Sequence, residues 1–326
     1  GFSSNACELV RNYLNERLQR VRIGQDTGEW LTLSKGVPQG SLTGPILFNV
    51  FINDLLLSLT NLCTVYNYAD DNTLSCSHHD PLVVKSRLED AANHALGWFS
   101  SNNMKANPSK FQALILARNN NCDITFKLSD GNTIIPSQCV KLLGVHLDDR
   151  LNFKYHLETI IKKCGKLANV LARLSHVLDR EHLKMVYNAF IVSNMNYCDF
   201  VYHFCCVSDA KRLEMVQKRC LKYILNDFSS DYKILLENAS METLYVMRLR
   251  SIVLCVWKIL TDQLPPFENS FFTTSDVSHL RRTNLLVRSR SNTVRYGINS
   301  LANLGPKLWN GLPEYFRKID NLNNFK

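Results

Sequence analysis

No stretch of this sequence is long and apolar enough to read as a membrane span. The most apolar segment, Gly44 to Cys63, carries Asn49, Asn53 and Asp54, and each would cost several kcal/mol at the centre of a bilayer, on the order of 2.5–3.5 for the aspartate alone. No C-x-x-C pair exists, and the spacings of Cys198, Cys205, Cys206 and Cys220 with His203 match no usual zinc-ligand pattern. These thiols are therefore expected to be buried and free. An odd total of eleven cysteines and the lack of a signal peptide favour a reducing compartment, so the expected location is intracellular, nucleus or cytoplasm, not secreted. A starting Met is also missing. Gly1 at the first position points to processing or to a piece of a longer reading frame.

What is present is an ordinary globular composition, 45% hydrophobic and 21% charged over 326 residues, enough for about two domains. The net charge of +9 is uneven. Residues 1–140 hold eleven Lys and Arg against twelve Asp and Glu, whereas residues 281–326 hold nine against two. A basic tail suits a polyanion, because lysines and arginines at phosphates release counterions. It also suits a solvated surface.

The pattern divides near residue 150. Before it, the sequence predicts an α+β layer with an antiparallel sheet. Arg11 to Arg22 reads as a helix end running into a strand. A Gly36–Gly44 loop leads into a helix, Ile46 to Leu59, that is apolar on nearly every face and so suited to full burial. Leu62 to Tyr68 and Thr73 to Cys76 read as strands joined by an acidic turn. Leu82 to Phe99 is helical in period, and Phe111 to Ala117 and Val140 to Leu147 read as single strands. Ser129–Asp130–Gly131–Asn132 is a hairpin turn between Ile124–Leu128 and Thr133–Ile135. After residue 150, Leu157, Ile160, Ile161, Cys164, Leu167, Ala168, Leu171, Leu174 and Leu178 recur at helical spacing. Further helices are expected over Glu181–Met195, Asp209–Leu225 and Met241–Leu260.

Two features carry chemistry. Adjacent carboxylates at Asp70–Asp71 in a tight turn repel each other unless a cation lies between them and a ligand, and Mg²⁺ characteristically uses one or two carboxylates plus substrate phosphates. On its own such a pair is more often a solvated turn. About 30 residues earlier, Gly36-Val37-Pro38-Gln39-Gly40-Ser41 offers glycines for close backbone approach, polar side chains, and a following helix N-terminus that favours negative charge. As structure alone it is a loop capping a helix.

Together these segments resemble reverse transcriptases of non-LTR (LINE-like) retrotransposons. The resemblance runs from Gly36–Ser41 through Gly44–Phe48 and Ile52–Leu55 to Tyr68-Ala69-Asp70-Asp71. It continues with Trp98–Phe99, Asn107–Lys110, Lys141–Val145, Phe190–Tyr197, Leu213–Arg219 and the tail Leu308–Pro313. The order is that of the family. It implies a partial polymerase palm over 1–150, a helical thumb over 151–226 and a helical, basic extension over 227–326. It further implies that Asp70 and Asp71 hold two Mg²⁺ ions and that Lys110 lies near the triphosphate. Gln39, Gly40, Ser41 and Tyr68 would line the nucleotide and template pocket, and Leu142, Leu143 and Gly144 would form the strand that holds the primer end. Lys162, Lys166 and Arg173, on one helix stripe, would meet nucleic acid. The implied partners are an RNA template, a DNA primer and deoxynucleoside triphosphates, with no membrane.

Two departures matter. Thr43 stands where the family usually has an aliphatic residue. The family's first metal-binding aspartate, with its neighbouring aromatic, lies upstream of a segment like Gly1-Phe2-Ser3. The resemblance therefore implies a C-terminal piece without fingers or endonuclease, inactive by itself. A decayed or repurposed remnant that binds nucleic acid without polymerising is the alternative. A group II intron maturase fits the Trp309–Pro313 tail less well.

Overall fold

The structure, a computed structural model, describes residues 2–33, 35–116, 124–264, 272, 285–288, 291, 293 and 297–325. The chain divides into two compact units: residues 1–113 with 119–136, and residues 114–118 with 137–326. Both α and β elements are present, and the strands form five separate antiparallel pairs. No continuous sheet is found among the described residues, in contrast to the layer expected from the sequence.

In the first unit, α1 (Ser4–Leu14) starts at Ser3, whose hydroxyl accepts from the Ala6 amide. A long ribbon follows. Strand β1 (Leu18–Gln19) pairs with β4 (Leu31–Thr32), and within it β2 (Arg22–Ile23) pairs with β3 (Asp26–Thr27) across a turn where Gly24 takes φ 62. Helix α2 (Gly44–Leu59) has Pro45 in its first turn, where a missing N–H costs nothing. Strands β5 (Thr64–Tyr68) and β6 (Asp71–Ser75) form a hairpin, and α3 (Pro81–Ser101) is capped by Asp80. Ile52, Leu55 and Leu59 of α2, with Cys63 and Ala91, make the buried core here, and Val65 and Leu74 of the hairpin pack on it.

Full burial of α2 does not hold. Ile46 and Leu57 are 62% and 65% exposed, and Val50 and Phe51 are also open. One face of the helix meets the hairpin and α3, and the other face has no cover in this unit. The expected strand over Phe111–Ala117 is likewise not formed: residues 111–116 have no regular structure, and Ala117 lies outside the described residues. The hairpin of β7 (Phe126–Lys127) and β8 (Thr133–Ile134) is shorter than expected. It hangs from α3, since the Glu89 and Asn93 side chains accept from the Lys127 and Ser129 amides.

The second unit opens with β9 (Cys139–Leu142) and β10 (Val145–Asp148). The single strand expected over Val140–Leu147 is thus two strands. Leu143 and Gly144 take φ 45 and φ 86, the pair of positive angles that a two-residue hairpin turn needs. The Asp148 carboxylate then accepts from the Asn152 and Phe153 amides and fixes the entry into α4 (Lys154–Leu174). That helix buries Leu157, Ile160, Cys164, Ala168 and Leu171, as its periodicity predicts.

Next come α5 (Arg180–Tyr187), a π-helical turn at Asn188–Val192, and α6 (Ser193–Met195), in place of one continuous helix. Helices α7 (Val207–Leu225), α8 (Tyr232–Ala239) and α9 (Leu244–Leu260) complete the main bundle. Glu214 of α7 caps α9, accepting from the Leu244 and Tyr245 amides. Of the thiols expected to be buried, Cys220 is buried, Cys198 and Cys205 are half-buried and Cys206 is exposed. No helix among the described residues is long and apolar enough to cross a membrane.

A smaller core closes the chain. Val256 and Trp257 of α9 pack with Trp309 of α10 (Leu301–Gly311) and Phe325 of α12 (Leu322–Phe325). The short α11 (Glu314–Arg317) lies between. Part of the basic tail is structural. Arg317 is buried and donates to the Asn310 and Leu312 carbonyls, and Arg288 donates to Asn303.

The helical bundle also buries ionisable groups. Burial raises the Asp199 carboxyl to about 6, against the partial relief of a Ser251 hydrogen bond. Burial and the charge of Arg248 lower His203 to about 4. An acid whose folded pKa is raised contributes stability below its unfolded pKa and loses it as pH rises through the folded value, here through about 6. The loss is about 3 kcal/mol. His203 acts oppositely between pH 4 and 6.5, so the whole-protein profile mixes the two. Asp199→Asn separates them: its stability relative to the natural chain should improve by about 3 kcal/mol between pH 4 and pH 8, read from urea unfolding at each pH.

Candidate active site

The β5–β6 hairpin is built so that one face is held and its tip is free. Along it, Val65 and Leu74 are cross-strand partners on the core face, and Asn67 and Asn72 follow on the same face toward the tip. Tyr66 and Tyr68, 61% and 67% exposed, lie on the other face with Asp71. Tyr68 pairs with Asp71, so Ala69 and Asp70 form the two-residue turn. Ala69 takes φ 53. That left-handed conformation is uncommon for a residue with a Cβ and is typical of strained functional turns.

The two asparagines brace this turn. Asn67 Nδ2 donates to the Ala69 carbonyl at 2.9 Å and to Asn72 Oδ1 at 2.8 Å, while Asn72 Nδ2 donates to the Asp70 carbonyl at 3.3 Å. With these bonds the strained tip is fixed and both carboxylates stand in solvent. Neither side chain has a hydrogen-bond or ion-pair partner among the described residues. No third His, Cys, Asp or Glu joins them in a group able to hold a metal, again among the described residues. Two bare adjacent carboxylates fit a hard divalent cation that takes its remaining oxygens from phosphates and water. Asn67 and Asn72 escaped the sequence reading. The signal was there: two amides placed symmetrically about a two-residue turn.

The Gly36–Ser41 loop is also pinned from within. Gly36 and Gly40 take φ 82 and φ 81, where a side chain would be strained. Ser41 Oγ donates to the Pro38 carbonyl at 2.9 Å and accepts from the Gly44 amide at 3.0 Å, capping α2. A Cβ at Gly44 would fall 2.8 Å from that hydroxyl. Ser41 is therefore engaged in the loop, while Gln39 and Gly40 are exposed. Tyr13 of α1 lies by the Ser41 and Thr43 hydroxyls, which with Arg17 hold its phenol below the usual range.

Lys110 lies in the same unit, exposed at the end of a 3-10 turn (Pro108–Lys110) that Asn107 caps. No hydrogen bond or ion pair joins the loop, the hairpin tip and Lys110 among the described residues. Leu142, Leu143 and Gly144 belong to the other unit, where Leu142 ends β9 and Leu143 and Gly144 form the hairpin turn in place of a continuous strand. There the Tyr197 hydroxyl donates to the Leu143 carbonyl at 2.6 Å, and a Cβ at Gly144 would lie 3.3 Å from the Tyr197 ring. Gly144→Ala meets both the ring and the unfavourable φ, and should lower unfolding stability by about 1–3 kcal/mol in urea titration. Lys162, Lys166 and Arg173 are exposed on one side of α4, opposite its buried residues.

The chain was compared with known proteins. Residues 2–147 match the family model described as reverse transcriptase (RNA-dependent DNA polymerase). Among curated proteins, the chain is 25% identical over 228 residues to the RNA-directed DNA polymerase from mobile element jockey of Drosophila melanogaster, covering 66% of this chain and 24% of that protein. It is 26% identical over 228 residues to the probable RNA-directed DNA polymerase from transposon BS of the same species, covering 66% and 25%. It is 26% identical over 229 residues to the corresponding protein of transposon X-element, covering 66% and 24%. The chain thus spans about a quarter of the length of these relatives. No solved structure gives a significant match.

Proposed function

We propose that residues 2–147, which match the reverse transcriptase (RNA-dependent DNA polymerase) family model and are similar to polymerases of Drosophila mobile elements, are a reverse transcriptase domain of the non-LTR retrotransposon kind, and that the chain supplies the catalytic tip of an RNA-templated DNA polymerase acting inside the cell. The first unit is read as palm, and the helical unit as thumb followed by a basic extension. One observation carries the proposal: the Asp70–Asp71 pair is held out on a braced, strained turn whose opposite face is anchored in a core.

Asp70 and Asp71 would hold the divalent ions. When bound, such ions supply positive charge to the phosphoryl oxygens in transit. The protein's own part is positioning, which provides much of the acceleration in this chemistry. The primer 3′-hydroxyl attacks the α-phosphorus of the incoming nucleotide, a P–O bond forms, and pyrophosphate leaves. Lys110 would neutralise the departing pyrophosphate. Gln39 and Gly40 would face the nucleotide and template, with Ser41 keeping that loop's shape.

A pocket shared by the loop and the hairpin tip would have a simple geometric basis. Helix α2 is 16 residues long, about 24 Å. The five residues of β5 span about 17 Å after the turn that follows α2, and a strand running back beside the helix would carry the tip toward the loop at the helix start. The primer end would rest on the Leu143–Gly144 turn, and Lys162, Lys166 and Arg173 would meet the duplex backbone.

The test is incorporation of labelled dTTP on a poly(rA)·oligo(dT) template by the native polypeptide with Mg²⁺. Incorporation that disappears with Asp70→Asn/Asp71→Asn supports the proposal. Tight binding of the primer–template with no incorporation gives the other reading, a nucleic-acid-binding remnant.

A further inference from the structure

A cavity of about 530 Å³ opens beside the Gly36–Gln39 loop, between it and the start of the β1–β4 ribbon. Its polar lining comes from Arg17, Gln19, Lys35 and Gln39, and no carboxylate contributes to it. Arg17 is set by its surroundings: its guanidinium lies 5.3 Å from the Tyr13 ring, and its carbonyl accepts from the Leu33 amide at 2.7 Å. Neither Arg17 nor Lys35 has an acidic partner among the described residues. Two cations that share a polar hollow repel each other, so the arrangement favours an anion between them. The backbone at Gly36, φ 82, turns there without a side chain and leaves space for close approach.

Further along the ribbon, strand alternation puts Arg20 and Trp30 on the face opposite Arg17, Gln19 and Lys35. Arg20 lies 4.5 Å over the Trp30 ring, and that ring is 57% exposed. From Arg17 to Arg20 is three residues, roughly 10 Å of strand. Two cations in a polar hollow suit the phosphates of a nucleic-acid strand. Sequence proximity does not suggest this grouping. Arg17 and Lys35 are brought together only because β1 pairs with β4.

We propose that the Arg17–Lys35 cavity binds phosphates of a single RNA strand as it passes the Gln39–Gly40 loop. This rests on the polymerase reading of that loop and adds to it a site outside the motifs. A free nucleoside triphosphate carries the same phosphate chemistry, so the experiment includes both.

Binding of a fluorescent oligouridylate is measured over a range of salt for the natural chain, Arg17→Gln/Lys35→Gln, Lys35→Gln alone and the charge-keeping Arg17→Lys/Lys35→Arg. Titration with dTTP runs in parallel. Each single-strand phosphate contact contributes about 0.7 to the slope of log affinity against log salt. The double variant should flatten that slope by about 1.4, Lys35→Gln by about 0.7, and the charge-keeping pair should restore it. Lys35 is exposed, so its single variant decides the matter should the double variant fold poorly. An unchanged slope with tight binding overturns the proposal and leaves the polymerase reading standing. A variant that loses dTTP binding while its RNA slope is unchanged overturns the strand assignment. No RNA binding by the natural chain overturns both the proposal and the reading it rests on.

Discussion

Asp70→Asn should lower RNA-templated nucleotide incorporation by the native polypeptide on the order of 10³-fold, the loss seen when one preorganised electrostatic partner of a transition state is removed. The substitution keeps the size of the side chain and removes its charge. The backbone of the turn should survive it, because Asn67 and Asn72 bond the Ala69 and Asp70 carbonyls, not the carboxylates. Circular dichroism and thermal unfolding should therefore match the natural protein while primer extension collapses. Equal activity in the variant would remove Asp70 from the chemistry. A contrasting change, Asn67→Ala, frees the turn without touching a charge, and should act through a looser tip.

Trp309→Ala should destabilise the C-terminal part by about 3–5 kcal/mol. Trp309 is 2% exposed and packs with Trp257 and Phe325 in the small terminal core. Its neighbour Asn310 makes a reciprocal pair with Leu286, accepting from that residue's amide and donating to its carbonyl, both at 2.9 Å. The Trp309–Pro313 segment thus works as a clamp: the ring fills the core, the amide mimics a strand partner, and Arg317 covers the end of α10. Urea unfolding followed by tryptophan fluorescence would show the loss. A change under about 1 kcal/mol, within the range of ordinary surface substitutions, would mean that this core adds little.

The sequence reading succeeded where residue type alone dictates backbone. Gly36 and Gly40, singled out for close backbone approach, both take positive φ. The α4 stripe was legible because nine apolar residues keep one period. It failed where tertiary context decides. Val140 to Leu147 was expected as one strand, and the turn at Leu143–Gly144, clasped by Tyr197, splits it in two. The apolar surface of α2 looked like a demand for burial on all sides, yet one face alone is covered in its unit. The bracing of Ala69 by Asn67 and Asn72, and the meeting of Arg17 with Lys35, depend on strand pairing between residues that no local pattern links.

Asp70 and Asp71 are expected to form a divalent-cation site. Mn²⁺ titrated into the isotopically labelled chain with dTTP present tests it directly, because the bound paramagnetic ion broadens nearby amide signals. Tyr68, Ala69, Asp70, Asp71 and Asn72 should broaden first, and Asp70→Asn/Asp71→Asn should abolish this early broadening. Hairpin signals that stay sharp while others fade, or that broaden equally in the double variant, would contradict it.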